Sequence, residues 1–129
     1  SRWYPETLRK RIENIRTVLH MITFFERDGI EIIREHAPQK CSAFFIDPPY
    51  TAAGKKAGSR LYTHNELNHE KLFEECEKIK GNFLMTYDNA PEVVAMATRH
   101  GFKTSTVSMK NTHHATMQEL LIGRDLSWL

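Results

Sequence analysis

Cysteine is nearly absent from this 129-residue chain: Cys41 and Cys76 stand far apart, with no CxxC spacing. That excludes a disulfide scaffold and a thiolate metal site, and both cysteines read as buried free thiols in apolar surroundings. Glycine is scarce too. The six glycines (29, 54, 58, 81, 101, 123) form no G-x-G-x-x-G or F-x-G-x-G turn, and no Walker A loop or nucleophile elbow is present. No apolar run approaches the ~20 residues that span a bilayer, so no membrane partner is expected. Charge of one sign is also missing: 18 Lys+Arg against 16 Asp+Glu leave +2, compatible with nucleic acid without requiring it. With 40% hydrophobic and 26% charged residues and no repeat, disorder and fibrous classes are excluded and one domain over 1–129 is expected. Ser1-Arg2-Trp3-Tyr4-Pro5 has neither an initiator methionine nor a secretory pattern, and reads as the interior of a longer cytoplasmic protein.

Hydrophobic spacing supplies the elements. Leu8, Ile12, Ile15 and Leu19 step by 4, 3 and 4, which predicts a lead-in helix from Pro5 to about His20, ahead of a sheet-and-helix region over 21–129. Met21 to Phe25 reads as a short strand ended by Asp28-Gly29, and Ile30 to His36 as a short helix. Ser42 to Ile46 is a continuous apolar strand, the pattern of a strand covered on both faces. Thr63-His64-Asn65-Glu66 fits a capping box opening a helix that reaches Ile79. Asn82 to Tyr87 is another apolar strand. Asn89 can cap a helix with Pro91 in its first turn, ended by Gly101. Phe102 to Met109 reads as a strand near a sheet edge, and Thr116 to Gly123 as the last strand. The alternation argues for an α/β fold, mostly parallel, with helices on both faces. Only about six residues join the final two strands, so these form an antiparallel hairpin.

In such sheets ligands sit beyond the carboxyl ends of the strands. Asp47-Pro48-Pro49-Tyr50 lies at such an end, after the most apolar strand. The two prolines restrict the backbone and hold carbonyl oxygens outward. The Asp47 carboxylate adds acceptors and Tyr50 a flat stacking surface. Together these suit a planar ring with an exocyclic amine, whose N–H groups would be accepted by Asp47 and a proline carbonyl. A plain turn capped by an aspartate is the rival reading.

Phe44-Phe45-Ile46-Asp47-Pro48-Pro49-Tyr50 resembles motif IV of the amino-methyltransferases, which move a methyl group from S-adenosylmethionine to an exocyclic nitrogen. The Dam-like N6-adenine DNA methyltransferases are the narrower resemblance. It continues through Tyr62, Phe83-Leu84-Met85-Thr86-Tyr87-Asp88-Asn89 and Gln118-Glu119-Leu120-Leu121-Ile122, with Arg2-Trp3-Tyr4-Pro5 similar to the segment leaving that family's recognition domain. The family's FxGxG turn, its ribose-binding acid and its recognition insertion have no counterpart, so the chain resembles the C-terminal half of such an enzyme, inactive alone. The resemblance implies a partial Rossmann-like methyltransferase sheet with a C-terminal antiparallel hairpin, and double-stranded DNA as partner, in a restriction-modification setting. It implies that Asp47 accepts from the adenine amine beside the cofactor's methionine amine, that Pro48 and Pro49 present the backbone, and that Tyr50 stacks on a flipped base. Phe25 and Asp28 fall where the family contacts the cofactor's adenine, though a plain strand end fits them equally.

Two loops are candidates for DNA contact: Lys55, Lys56 and Arg60 after the motif, and Lys110, Asn111, Thr112, His113 and His114 between the last strands. A solvated loop is the alternative for the first. The seven histidines have no compact carboxylate or thiolate companions, so no metal is expected. Two other functions stay open: a related enzyme acting on guanine N2 of ribosomal RNA, and a non-catalytic nucleic-acid-binding subunit. The apolar strand before Asp47 also lacks the neighbour it has in the family, which leads us to expect self-association, with exchange of the N-terminal helix and strand.

Overall fold

The computed structural model describes residues 4–49, 67–110 and 116–129. The apolar period at Leu8, Ile12 and Ile15 produces helix α1, Pro5–Thr17, and a single 3-10 turn follows at Leu19–Met21. Neither buries a residue. The strand expected over Met21–Phe25 does not form. Ile22 to Phe25 join no sheet, because an extended run becomes a strand only when another backbone pairs with it.

Helix α2, Gly29–His36, starts where the Asp28 side chain accepts from the Ile30 and Glu31 N–H groups. Strand β1, Ala43–Ile46, comes next. Helix α3, His69–Glu77, is capped by Asn68, whose side chain accepts from Lys71 N–H. The capping box expected at Thr63–Glu66 therefore does not open this helix; Leu67 and Asn68 precede it outside helical structure, and 63–66 fall outside the described residues. Strand β2, Asn82–Asp88, leads to helix α4, Pro91–Arg99. Ala90, not Asn89, holds the cap position, because Pro91 takes the first helical place and so makes its predecessor the boundary. After α4, Gly101 adopts φ +71°, the left-handed conformation that ends helices. Strands β3, Lys103–Lys110, and β4, Thr116–Gly123, form the expected hairpin.

The described strands make one open sheet in the order β1-β2-β4-β3. β1 and β2 are parallel, and β4 inserts between β2 and β3, antiparallel to both. The sheet is thus mixed rather than mostly parallel in its pairing, although β1, β2 and β3 share one direction. Helices on both faces are not what the described residues show. The connections through α3 and α4 step across the sheet in the same sense, and right-handed crossovers then place both helices on one face. α3 packs against α2 on one side and α4 on the other. Between these helices and the sheet lies the core, where Ile30, Ile33, Phe73, Cys76 and Val93 meet Ile46, Phe83, Met85, Tyr87, Leu120 and Ile122. The opposite face carries Phe45, 69% exposed, with Leu84, Thr86, Leu121 and Val107. The continuous apolar run of β1 reflects an edge strand with one face left open.

Two local features lock the register. A Cβ on Gly81 would lie 2.1 Å from the Ser42 carbonyl oxygen, so only glycine lets the α3–β2 turn come this close to the start of β1. Asn82 N–H donates to that same carbonyl at 2.9 Å. Glu75 is buried in α3, where Arg34 of α2 donates to its Oε1 at 2.8 Å and Lys78 Nζ lies 3.0 Å away. The Arg34 and then the Lys78 hydrogen bonds hold its carboxyl below the usual range. Of the cysteines, Cys76 is buried, with its thiol pushed up to about 12 by burial, whereas Cys41 is exposed, contrary to the sequence reading.

Candidate active site

β1 ends at Ile46, whose side chain enters the core; alternation therefore turns Asp47 to the opposite, open face. The parallel register pairs Ile46 with Met85, so the next step brings Asp47 beside Thr86 of β2. Thr86 Oγ1 donates to Asp47 Oδ1 at 2.7 Å, a charge-assisted bond that orients the carboxylate. Asp47 itself is exposed and caps none of the described helices, while Pro48 behind it is buried and Pro49 half-buried. Thr86 is a residue the sequence reading passed over. Pairing residue 47 with residue 86 needs the register of β1 against β2, which the sequence alone does not carry.

A hollow of about 430 Å³ opens in front of this turn. Ile30, Ile33, Ile46 and Leu72 line it with apolar surface, and Asp28, Asp47 and Pro48 reach it as well. It follows the free edge of β1, the side on which no described strand pairs. Asp28 and Asp47 thus border one cavity. Asp28 is also a structural cap, with Oδ1 2.7 Å from Ile30 N. Phe25 does not join them: its ring lies 6.3 Å from that of His36, at the end of α2 away from Asp28. A second hollow, about 470 Å³, sits at the other end of β1 and β2 beside Asn82, Arg124 and Trp128. It is the less suited to chemistry, because Arg124 is used in donating to the Cys76, Glu77 and Ile79 carbonyls that end α3.

His69 begins α3 above the carboxyl end of β2, and its Nδ1 is 2.8 Å from the buried Tyr87 hydroxyl. Burial lowers the His69 pKa from its usual value, so the ring is neutral in the folded protein around pH 7. The unfolded chain then binds the extra proton first. Stability should be full above the ordinary histidine pKa, fall as pH drops below about 6.5, and fall again as Glu75 is protonated at lower pH. Denaturant titrations across pH should show the upper of these two steps vanish in His69→Gln while the lower one remains.

Tyr50, Lys55, Lys56, Arg60, Tyr62, Asn111, Thr112, His113 and His114 lie outside the described residues. Lys110 closes β3 at the same end of the sheet as Asp47, since β3 runs in the direction of β1, but on the opposite edge strand. Among the described residues, no helix is long and apolar enough to cross a membrane, and no group of three His, Cys, Asp or Glu could hold a metal ion. No family model matches this chain, and no curated protein matches it.

Proposed function

We propose that this chain carries the acceptor side of an amino-methyltransferase, of the kind that methylates adenine N6 in DNA. The single observation carrying the reading is the Asp47 carboxylate: exposed at the carboxyl end of β1, oriented by Thr86, and open to an apolar hollow. An isolated turn needs none of these three. The mixed sheet, with β1 and β2 parallel and a C-terminal antiparallel hairpin, is compatible with a partial Rossmann-like methyltransferase sheet.

S-adenosylmethionine, the cofactor this reading requires, supplies an electrophilic methyl group bound to a sulfonium. The residues present fit part of it: the hollow offers apolar walls, and Asp47 offers an acceptor for an ammonium group. Asp28 reaches the hollow with its carboxylate already holding two backbone N–H groups, so it is a weaker candidate for a ribose. On the acceptor side, Asp47 and the Pro48 carbonyl take the two N–H groups of the adenine amine. Tyr50 is the stacking surface for the flipped base. Holding both N–H groups would aim the nitrogen lone pair outward, toward the methyl group that the bound cofactor would supply. Positioning and the stabilisation of positive charge on that nitrogen are what these residues contribute.

Methylation assays with the full gene product test the reading directly. Duplex DNA should yield N6-methyladenine. Label appearing instead at guanine N2 of ribosomal RNA would replace the proposed substrate, and binding to DNA without label on either nucleic acid would favour a non-catalytic subunit.

A further inference from the structure

The nine large apolar side chains of residues 8–25 are 36–84% exposed, with Phe24 the most exposed. They run along α1 (Leu8, Ile12, Ile15), through the 3-10 turn, and into the extended stretch Ile22–Phe25. Together they expose on the order of 1,000 Å², more than monomers usually leave in one patch and about one partner's share of a stable interface. Three surfaces of this chain are unsatisfied among its described residues. α1 has an apolar stripe and nothing beneath it. Ile22–Phe25 is an apolar extended segment with no strand beside it. The sheet has an apolar open face and a free β1 edge.

These needs are complementary. A helix stripe covers a sheet face, and an extended segment pairs with a strand edge. We infer that the occupant is a second copy of this chain. The α1–Phe25 unit of one protomer docks on the other, its helix over Phe45, Leu84, Leu121 and Val107 and its Ile22–Phe25 segment along β1. The reciprocal contact forms at once, which closes a two-fold dimer and leaves no open end. Charge agrees with this pairing. Arg11 and Arg16 flank the α1 stripe, while Asp47, Asp88 and Glu119 stand on the open face. The segment Glu26–Asp28 forms the pivot, because Arg27 pairs with Glu31 and Glu35 and Asp28 caps α2, which ties the chain firmly from that point onward. The inference does not rest on methyl transfer, but the two readings share ground: the docked unit would cover the open face that bears Asp47 and run beside the hollow in front of it.

Sedimentation equilibrium of the full chain at micromolar concentration should give a dimer. Ile12→Glu combined with Phe24→Glu, at positions exposed in the protomer, should raise the dissociation constant at least ~100-fold while leaving the circular dichroism spectrum and Tm of the protomer intact. Phe45→Glu, on the receiving surface, should do the same. In a mixture of labelled and unlabelled chains, intermolecular NOEs should link the Phe24 and Phe45 rings. A wild-type monomer, a polydisperse series of larger species, a dimer that survives these substitutions, or a dimer without those NOEs would each overturn the inference.

Discussion

Asp47→Ala is expected to lower methyl transfer by the full gene product by about a thousandfold or more, the scale of losing an oriented electrostatic partner of the reacting centre. The effect should fall on kcat, because the carboxylate is asked to hold the amine as positive charge grows on nitrogen. On the proposed reading DNA affinity would rest on phosphate contacts and on stacking at Tyr50, and should change far less. Asp47→Asn is the sharper probe. Its carbonyl oxygen can still accept from Thr86 Oγ1, so the turn keeps its shape, but the charge is gone. Asp47→Asn, which keeps an acceptor for the buried Thr86 hydroxyl, should cost less stability than Asp47→Ala, which leaves that hydroxyl without it. Single-turnover kinetics and thermal melts on the same samples separate the two effects. Wild-type turnover in Asp47→Asn would remove the carboxylate from the mechanism.

Phe73→Ala should destabilise the fold by about 3–5 kcal/mol, a large fraction of what a domain this size possesses. Phe73 is fully buried on α3, with its ring centroid 5.7 Å from Tyr87, 5.5 Å from His100 and 6.0 Å from Phe102. It therefore joins β2, the end of α4 and the start of β3 in one aromatic cluster. Truncation removes those contacts and leaves a cavity walled by rigid rings that cannot collapse to fill it. The His69–Tyr87 hydrogen bond lies against the same rings and should loosen. Chemical denaturation should show the loss as a lower midpoint with an unchanged slope.

Apolar runs bounded by turn residues were enough to locate β1, β2 and the final hairpin to within a residue or two. Gly101 and Pro91 marked the limits of α4 for reasons that operate within a few residues. Partnership was the part not legible. Met21–Phe25 has the composition of a strand, and nothing local to it reveals that no neighbour pairs with it. The insertion of β4 between β2 and β3 is a contact between distant segments, invisible to hydrophobic period. Helices on both faces were inferred from the alternation of elements, and β1 was read as covered on both faces from its apolar run; that run instead marks an exposed face, since burial and exposure leave identical letters at Phe45. At the candidate site, Asp47 and Pro48 were evident from composition and position. Thr86 became evident only when the register of β1 against β2 was known, and Phe25, placed by the family resemblance, lies beside His36 and not at the hollow.

The order β1-β2-β4-β3 has a consequence for synthesis. Of the described strands, the one made last is wedged between two made earlier, so β2 and β3 have no native hydrogen bonds to share before it is made. Until Thr116–Gly123 emerges from the ribosome, β3 has no ladder to join, and the sheet closes only then. A truncation ahead of Thr116 would therefore strand the preceding hairpin arm and expose the seam in the middle of the sheet.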